Sequence, residues 1–353
     1  MFLESLGATA AVFRAFESFA RADLVLASVA RGYGDHYQVL GENFETVAEP
    51  SGSLRYRAET AAEMPVVGDW VGARIVGPGE ALIEEVLPRR SLFSRRAAGN
   101  RAEQQPVAAN IDVAFLVCGL DGDFNLRRLE RYLALAVASG AQAVVVLNKA
   151  DVCEDLVTRG AEAAAVAGAA PIETTSAVTG EGVEGLRRRL LPGVTGVLLG
   201  SSGAGKSSLI NSLMGEERLR TAAVRPSDSR GRHTTTHREL LSIAGGGVVI
   251  DTPGMRELGL WAETESVETV FVEITDLARC CRFGDCTHGG EPGCAVEEAV
   301  RAGTVTPERW GSYQKLMREA RYHEETADKV AAARKRRDRQ IHRAQRQLYK
   351  RDR

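Results

Sequence analysis

A chain of 353 residues is too long for one ordinary domain and suits two or three. Its 44% hydrophobic and 26% charged residues are globular proportions, which excludes wholesale disorder. The net charge of −2 hides an asymmetry: residues 331–353 hold ten Lys/Arg against two Asp, which leaves −10 on the remainder and points to a polyanionic partner.

Residues 1–22 look like a variable extension and say little. From Asp23 to residue 98 the chain offers short alternating runs (DLVLASVARGYGDHYQVL, GSLRYRAE, DWVGARIVG, ALIEEVL) punctuated by turns at Gly32–Gly34, Glu49–Gly52 and Gly77–Gly79. Such spacing predicts a small all-β barrel of the oligonucleotide-binding type, an OB-fold. No pair of stacking aromatics stands at matched spacing there, so the barrel alone does not establish RNA binding.

Over residues 99–262 continuous apolar runs (VAFLVCGL, AVVVLNK, GVLLG, GGVVID) alternate with helical stretches. That alternation predicts a central α/β domain with a sheet covered on both faces. The charge-free stretch Tyr132–Asn148 contains Ser139, Gly140 and Gln142, and it is shorter than the ~20 apolar residues of a membrane span. It reads as a helix end, a glycine stop and a buried strand. No basic-then-apolar leader precedes it, so the expected location is the cytoplasm, with no membrane partner. Residues 263–330 read as a mostly helical module carrying a cysteine cluster, and 331–353 as a basic tail.

Chemistry concentrates in the middle of the chain. Gly200, Ser201, Ser202, Gly203, Ala204, Gly205, Lys206 and Ser207 match GxxxxGK[ST] between an apolar strand and a helix, the context a phosphate loop requires. Its backbone N–H groups, with Ser208 opening the helix, would cradle phosphates at a helix N-terminus. Lys206 would reach the β- and γ-phosphates, and the Ser207 hydroxyl would bind Mg²⁺. Asn148, Lys149, Ala150 and Asp151 then choose the base. A carboxylate that accepts from guanine N1–H and its 2-amino group selects guanine, because adenine lacks that donor pair. Ser176 and Ala177 fit the short loop behind the guanine ring.

Asp251 ends a strand within DTPG, where it would hold Mg²⁺ through water, and the Gly254 N–H would sense the γ-phosphate. Gly231–Thr236 (GRHTTT) suits a switch loop. Thr235 is the preferred magnesium ligand, with Thr234 and Thr236 as alternatives. The position after DxxG is Met255, which cannot polarise water, so His233 is the local candidate for positioning it; a solvent-facing histidine is the alternative. Slow intrinsic turnover awaiting a partner is the expectation. Base recognition precedes the phosphate loop in this chain, and the switch motifs come last. That is the order of a circularly permuted GTPase domain, whose switch segment runs straight into the C-terminal module.

There, three thiols and one imidazole stand close together: Cys281 (or the adjacent Cys280), Cys286, His288 and Cys294. In a reducing compartment such a set suits one tetrahedral structural zinc, and iron would also fit the spacing.

Taken together, GDW (68–70), AANID (108–112), NKAD, GSSGAGKSSLIN, GRHTTT, DTPGMRELGLW and CRFGDCTHGGEPGC resemble the ribosome-small-subunit-dependent GTPase A family, over roughly Asp23 to His323. The resemblance implies a barrel and a zinc module flanking a permuted GTPase. It also implies binding to the small ribosomal subunit and its rRNA in late maturation, with GTP hydrolysis stimulated by the subunit and coupled to release. It maps the zinc ligands onto Cys281, Cys286, His288 and Cys294 and leaves Cys280 spare. Ser201 and Ala204 depart from the family's usual phosphate loop, and Met255 stands where Phe is more usual. A monomer binding GTP/GDP, Mg²⁺ and one zinc is expected. The rival readings are a P-loop ATPase or kinase, which Asp151 opposes, an RNA chaperone without stimulated turnover, and a regulatory GTPase acting on a protein.

Overall fold

A computed structural model describes residues 2–96, 104–216, 219, 238–251 and 262–326 of the chain. They fall into two compact units: one carries residues up to 95 and from 104 to 251, the other residue 96 and residues 262–326.

The first unit begins with helices α1 (Phe2–Ser5) and α2 (Ala10–Glu17). Composition alone says little about this extension, yet Leu3, Leu6, Ala8 and Val12 are buried. The Glu42 carboxylate accepts from the backbone N–H groups of Phe2 and Leu3, both at 3.2 Å, which docks the first helix.

Five strands follow: β1 (Val25–Tyr33), β2 (His36–Gly41), β3 (Phe44–Pro50), β4 (Trp70–Gly77) and β5 (Glu80–Val86). Antiparallel pairings β1–β2, β2–β3, β4–β5 and β1–β4 with a parallel β3–β5 pair close the barrel. Ala27, Ala48, Ala73 and Ala81 keep its interior narrow, Val29, Val39, Val71 and Ile83 fill it, and Leu54 on α3 (Gly52–Arg57) joins the same core. The Ser51 hydroxyl accepts from the Leu54 N–H at 3.1 Å and starts that helix.

Strands β6 (Leu92–Arg96) and β7 (Gln104–Ala109) form a small separate sheet. The α/β part follows with β8 (Val113–Gly119), α4 (Leu126–Ser139), β9 (Gln142–Asn148), α5 (Leu156–Ala167), β10 (Ile172–Thr175), α6 (Val183–Arg187), β11 (Thr195–Gly200), α7 (Lys206–Met214), β12 (Arg238–Ser242) and β13 (Val248–Asp251). The strand order is β10-β9-β8-β11-β13-β12, all parallel except β12. Strands β8 and β11 are buried along their whole length, which explains their unbroken apolar sequences.

Barrel and α/β sheet are joined edge to edge. β1 pairs with β12 through Arg31↔Glu239 and Gly32↔Arg238, and the Arg31 guanidinium donates to the Glu239 carboxylate. The GDW segment is the second seam. Gly68 takes φ +90°, and a Cβ there would lie 2.2 Å from the Ala109 carbonyl oxygen and 2.9 Å from Ile250 Cδ1. The Asn110 side chain donates to the Gly68 carbonyl at 2.9 Å. Asp69 is fully buried; burial pushes its carboxyl up, while a two-pronged bond from Arg89 at 2.7 Å on each oxygen opposes that rise. Gly68→Ala is therefore expected to destabilise the first unit by about 3 kcal/mol, from positive-φ strain plus overpacking. A chemical-denaturation midpoint checks this, and an unshifted midpoint would show that the seam relaxes.

The second unit holds α8 (Thr264–Val270), α9 (Val272–Arg279), α10 (Ala295–Ala302) and a helical run over 307–326. Phe271, Ile274, Val296, Leu316 and Ala320 form its core. Arg309 lies 4.0 Å from the Phe271 ring centroid and bonds Glu273 at 2.7 Å, so its charge is satisfied beneath the apolar cover. No helix among the described residues is long and apolar enough to cross a membrane.

Candidate nucleotide site and metal centre

The expected base and phosphate motifs lie far apart in sequence and meet at the carboxyl ends of β8, β9, β10 and β11. Asn148, last residue of β9 and 1% exposed, makes the junction. Its Nδ2 donates to the Ala204 carbonyl of the phosphate loop at 2.8 Å. Its Oδ1 accepts from the Thr175 hydroxyl at 3.1 Å and the Ala177 N–H at 3.2 Å. One amide thus ties the NKAD turn, the Ser176–Ala177 loop and the phosphate loop together, with each of its groups used. Ser176 is buried and its hydroxyl accepts from the Thr179 N–H at 3.1 Å. Asp151 stands exposed in the short turn after Lys149, free to meet a ligand from solvent.

The phosphate loop owes its shape to positive-φ glycines. Gly203 and Gly205 take φ +83° and +93°, and a Cβ on Gly205 would lie 2.2 Å from Asn148 Nδ2. Ala204 is fully buried, which fixes the loop from below. Helix α7 starts at Lys206, so Lys206, Ser207 and Ser208 make up its first turn, whose N–H groups lie at the positive end of the helix. The Lys206 ammonium donates to the carbonyls of Gly200 and Ser201 at 2.8 and 2.6 Å, which centres its charge on the loop. Such a loop at a helix N-terminus binds anions. Asp251 is half-buried at the end of β13, next to the phosphate-loop strand. His233, Thr235 and Gly254 lie outside the described residues.

Two carboxylates here carry no sequence motif. Asp121 accepts from the Lys149 ammonium, and Asp123 accepts from the Ser201 hydroxyl and from Arg128, the last at 2.7 Å. Burial pushes the Asp121 carboxyl up, but the Lys149 hydrogen bond and the backbone N–H of Asp123 outweigh it and hold the group below the usual range. The only hint in the sequence is a polar LDGDF turn after an apolar strand.

In the second unit, Cys281, Cys286, His288 and Cys294 bring their ligand atoms within 4.8 Å of one another. Cys281 Sγ lies 3.6 Å from His288 Nδ1 and 4.0 Å from Cys294 Sγ, and His288 Nδ1 lies 3.3 Å from Cys294 Sγ. A tetrahedral ion with bonds of about 2.3 Å to sulfur and 2.0 Å to nitrogen has edges of roughly 3.5–3.8 Å, so the donor set fits one ion, with Nδ1 as the imidazole ligand. Burial pushes the Cys281 thiol up, but backbone N–H groups at the start of α10 and the neighbouring thiols bring it below its ordinary value. Cys280 is exposed and outside the cluster.

His288 sits at φ +56°, a conformation unusual for a side-chain-bearing residue. Glu291 holds it there. Its carboxylate accepts from the Thr287 N–H at 2.9 Å, the Thr287 hydroxyl and the Gly289 N–H at 2.6 Å, on both sides of the histidine. The Thr287 bonds lead in lowering its carboxyl to about 2. The Trp310 ring meets the imidazole edge-on at 5.9 Å.

The RsgA GTPase family profile matches residues 86–261. The small ribosomal subunit biogenesis GTPase RsgA of Opitutus terrae is 49% identical over 344 residues, 94% of this chain and 93% of that protein. The chain belongs to the RsgA GTPase family. A second RsgA, from Syntrophotalea carbinolica, is 42% identical over 347 residues, 95% of each chain. Among solved structures, YjeQ from Thermotoga maritima superposes with a TM-score of 0.63 at 30% identity, covering 84% of this chain and 98% of its own. The circularly permuted GTPase YloQ matches in fold at a TM-score of 0.59 and 24% identity, over 85% of this chain and 96% of its own. The expected barrel, permuted α/β GTPase domain and helical Cys/His module are all present, and the chain is a GTP hydrolase of this family.

Proposed function

We propose that this protein is a maturation factor that binds the small ribosomal subunit and its rRNA, hydrolyses GTP there when the subunit stimulates it, and is released as a consequence. Asn148 carries the reading: its side chain joins the base turn to the phosphate loop, so one purine nucleotide spans both. Asp151 selects guanine, Lys149 and Ala150 flank the base, and Ser176–Ala177 back it. The loop from Gly200 to Ser208 holds the phosphates with Lys206 as the cation, and Gly254 meets the γ-phosphate. Ser207, Thr235 and Asp251 serve Mg²⁺, which when bound neutralises phosphate charge. His233 positions water. One structural zinc on Cys281, Cys286, His288 and Cys294 holds the second unit together. The named relatives are small-subunit biogenesis GTPases, and the barrel belongs to a class that often engages nucleic acid. The protein works as a cytoplasmic monomer, and the basic tail adds salt-sensitive rRNA affinity.

GTP turnover by the purified chain alone, with small subunits and with large subunits tests this. Stimulation by small subunits only is expected. No stimulation by either subunit would remove the ribosomal assignment and leave the GTPase intact.

A further inference from the structure

The turn after β8 touches both halves of the nucleotide site. Asp121 holds the Lys149 ammonium, and two residues later Asp123 holds the Ser201 hydroxyl of the phosphate loop. Room for this arrangement comes from Gly119. A Cβ there would lie 2.9 Å from Asp121 Oδ1, 3.5 Å from Ala204 Cα and 3.6 Å from Lys149 Cδ. The lysine stem therefore runs from the base turn towards the phosphate loop, alongside the ground a purine and its ribose must cover. Lys149 itself sits at φ +68°, a strained conformation that the ion pair and the Leu120 N–H to Asn148 carbonyl bond of 2.8 Å help to hold. Both partners are shielded, with side chains 21% (Lys149) and 35% (Asp121) exposed, so the pair is less screened than an open surface bridge.

We infer that Asp121 is a positioning residue for guanine-nucleotide binding: it anchors the Lys149 ammonium so that the lysine's methylene stem forms a fixed wall beside the base, while Asp123 ties the same turn to the phosphate loop through Ser201. This rests on the reading of the site as a guanine-nucleotide pocket. A long lysine loses rotamer freedom when it is fixed, and pre-forming the wall removes part of that cost from binding. The wall touches the ring rather than its exocyclic groups, so it acts on any purine.

The test is a binding series with GTP, GDP and ITP on the full chain carrying Asp121→Ala, Asp121→Asn, Lys149→Met, and Asp121→Ala with Lys149→Met. Asp121→Ala is expected to weaken all three nucleotides alike, by roughly five- to tenfold, and to raise KM while leaving kcat unchanged. Asp121→Asn, which keeps the shape and loses the charge, falls between. In the Lys149→Met background, Asp121→Ala should add less than about twofold, because its effect runs through the lysine. An equal loss in both backgrounds, or unchanged affinity in the native one, would overturn the inference. A native chain without guanine preference would instead overturn the underlying reading, whatever Asp121 does.

Discussion

Asp151→Asn is expected to lower GTP affinity by roughly 10³-fold, about 4 kcal/mol, and to raise affinity for xanthosine triphosphate. The carboxylate stands exposed directly after the Lys149–Ala150 turn, and Asn148 anchors that turn to the Thr175–Ala177 loop and to Ala204. Its two oxygens can accept together from guanine N1–H and the 2-amino group. An amide in its place offers one acceptor and one donor; the donor opposes the guanine 2-amino group and complements the xanthine 2-oxo group. Only the side chain's hydrogen-bonding sense changes, so the fold and the phosphate loop should stay intact. Competition binding with GTP, ATP and XTP reads the outcome. A mutant that keeps the native GTP-to-XTP ratio would mean that Asp151 does not face the base.

Removing the metal should have the larger effect, on folding rather than on nucleotide binding. The second unit packs a small core around Phe271, Ile274, Val296 and Leu316, too little apolar burial to hold long loops by itself. A structural zinc in such a module contributes roughly 10 kcal/mol or more of apparent binding free energy, which is folding free energy when the apo site is unformed. Chelation, or Cys286→Ser, is expected to release one metal ion per chain, to open residues 262–326 to protease and to change the emission of Trp310. Nucleotide binding by the first unit should persist. Cys280→Ser should keep the metal, since that thiol lies outside the cluster. Metal content per chain, a proteolysis time course and Trp310 fluorescence check this. If the chelated protein kept its protease resistance, the metal would not be a folding element.

The legible parts of the sequence were those where chemistry forces neighbouring residues to act together. A phosphate loop must be contiguous, because successive N–H groups have to converge on one anion, so Gly200–Ser208 could be read directly. The NKAD turn and the cysteine cluster share that property, and so does the permuted order, which is a statement about sequence alone. The barrel could be read from turn spacing. The extension could not: Leu3, Leu6 and Val12 are buried and Glu42 accepts from the Phe2 and Leu3 N–H groups some forty residues away, and no local pattern announces it.

Residue types and their order along the chain thus determined the family, the guanine and phosphate motifs, and a metal-binding set with one thiol too many. Tertiary structure decided what distance in space controls. It singled out Cys281 over Cys280, because only one of two adjacent side chains on a helix end can point at Cys294. Asn148 became the junction of three segments, and Asp121 and Asp123 became the partners of Lys149 and Ser201 although a carboxylate in a polar turn has no signature of its own. A hydrogen bond forms between atoms about 3 Å apart, whatever number of residues separates them, and that separation is what a linear pattern does not carry.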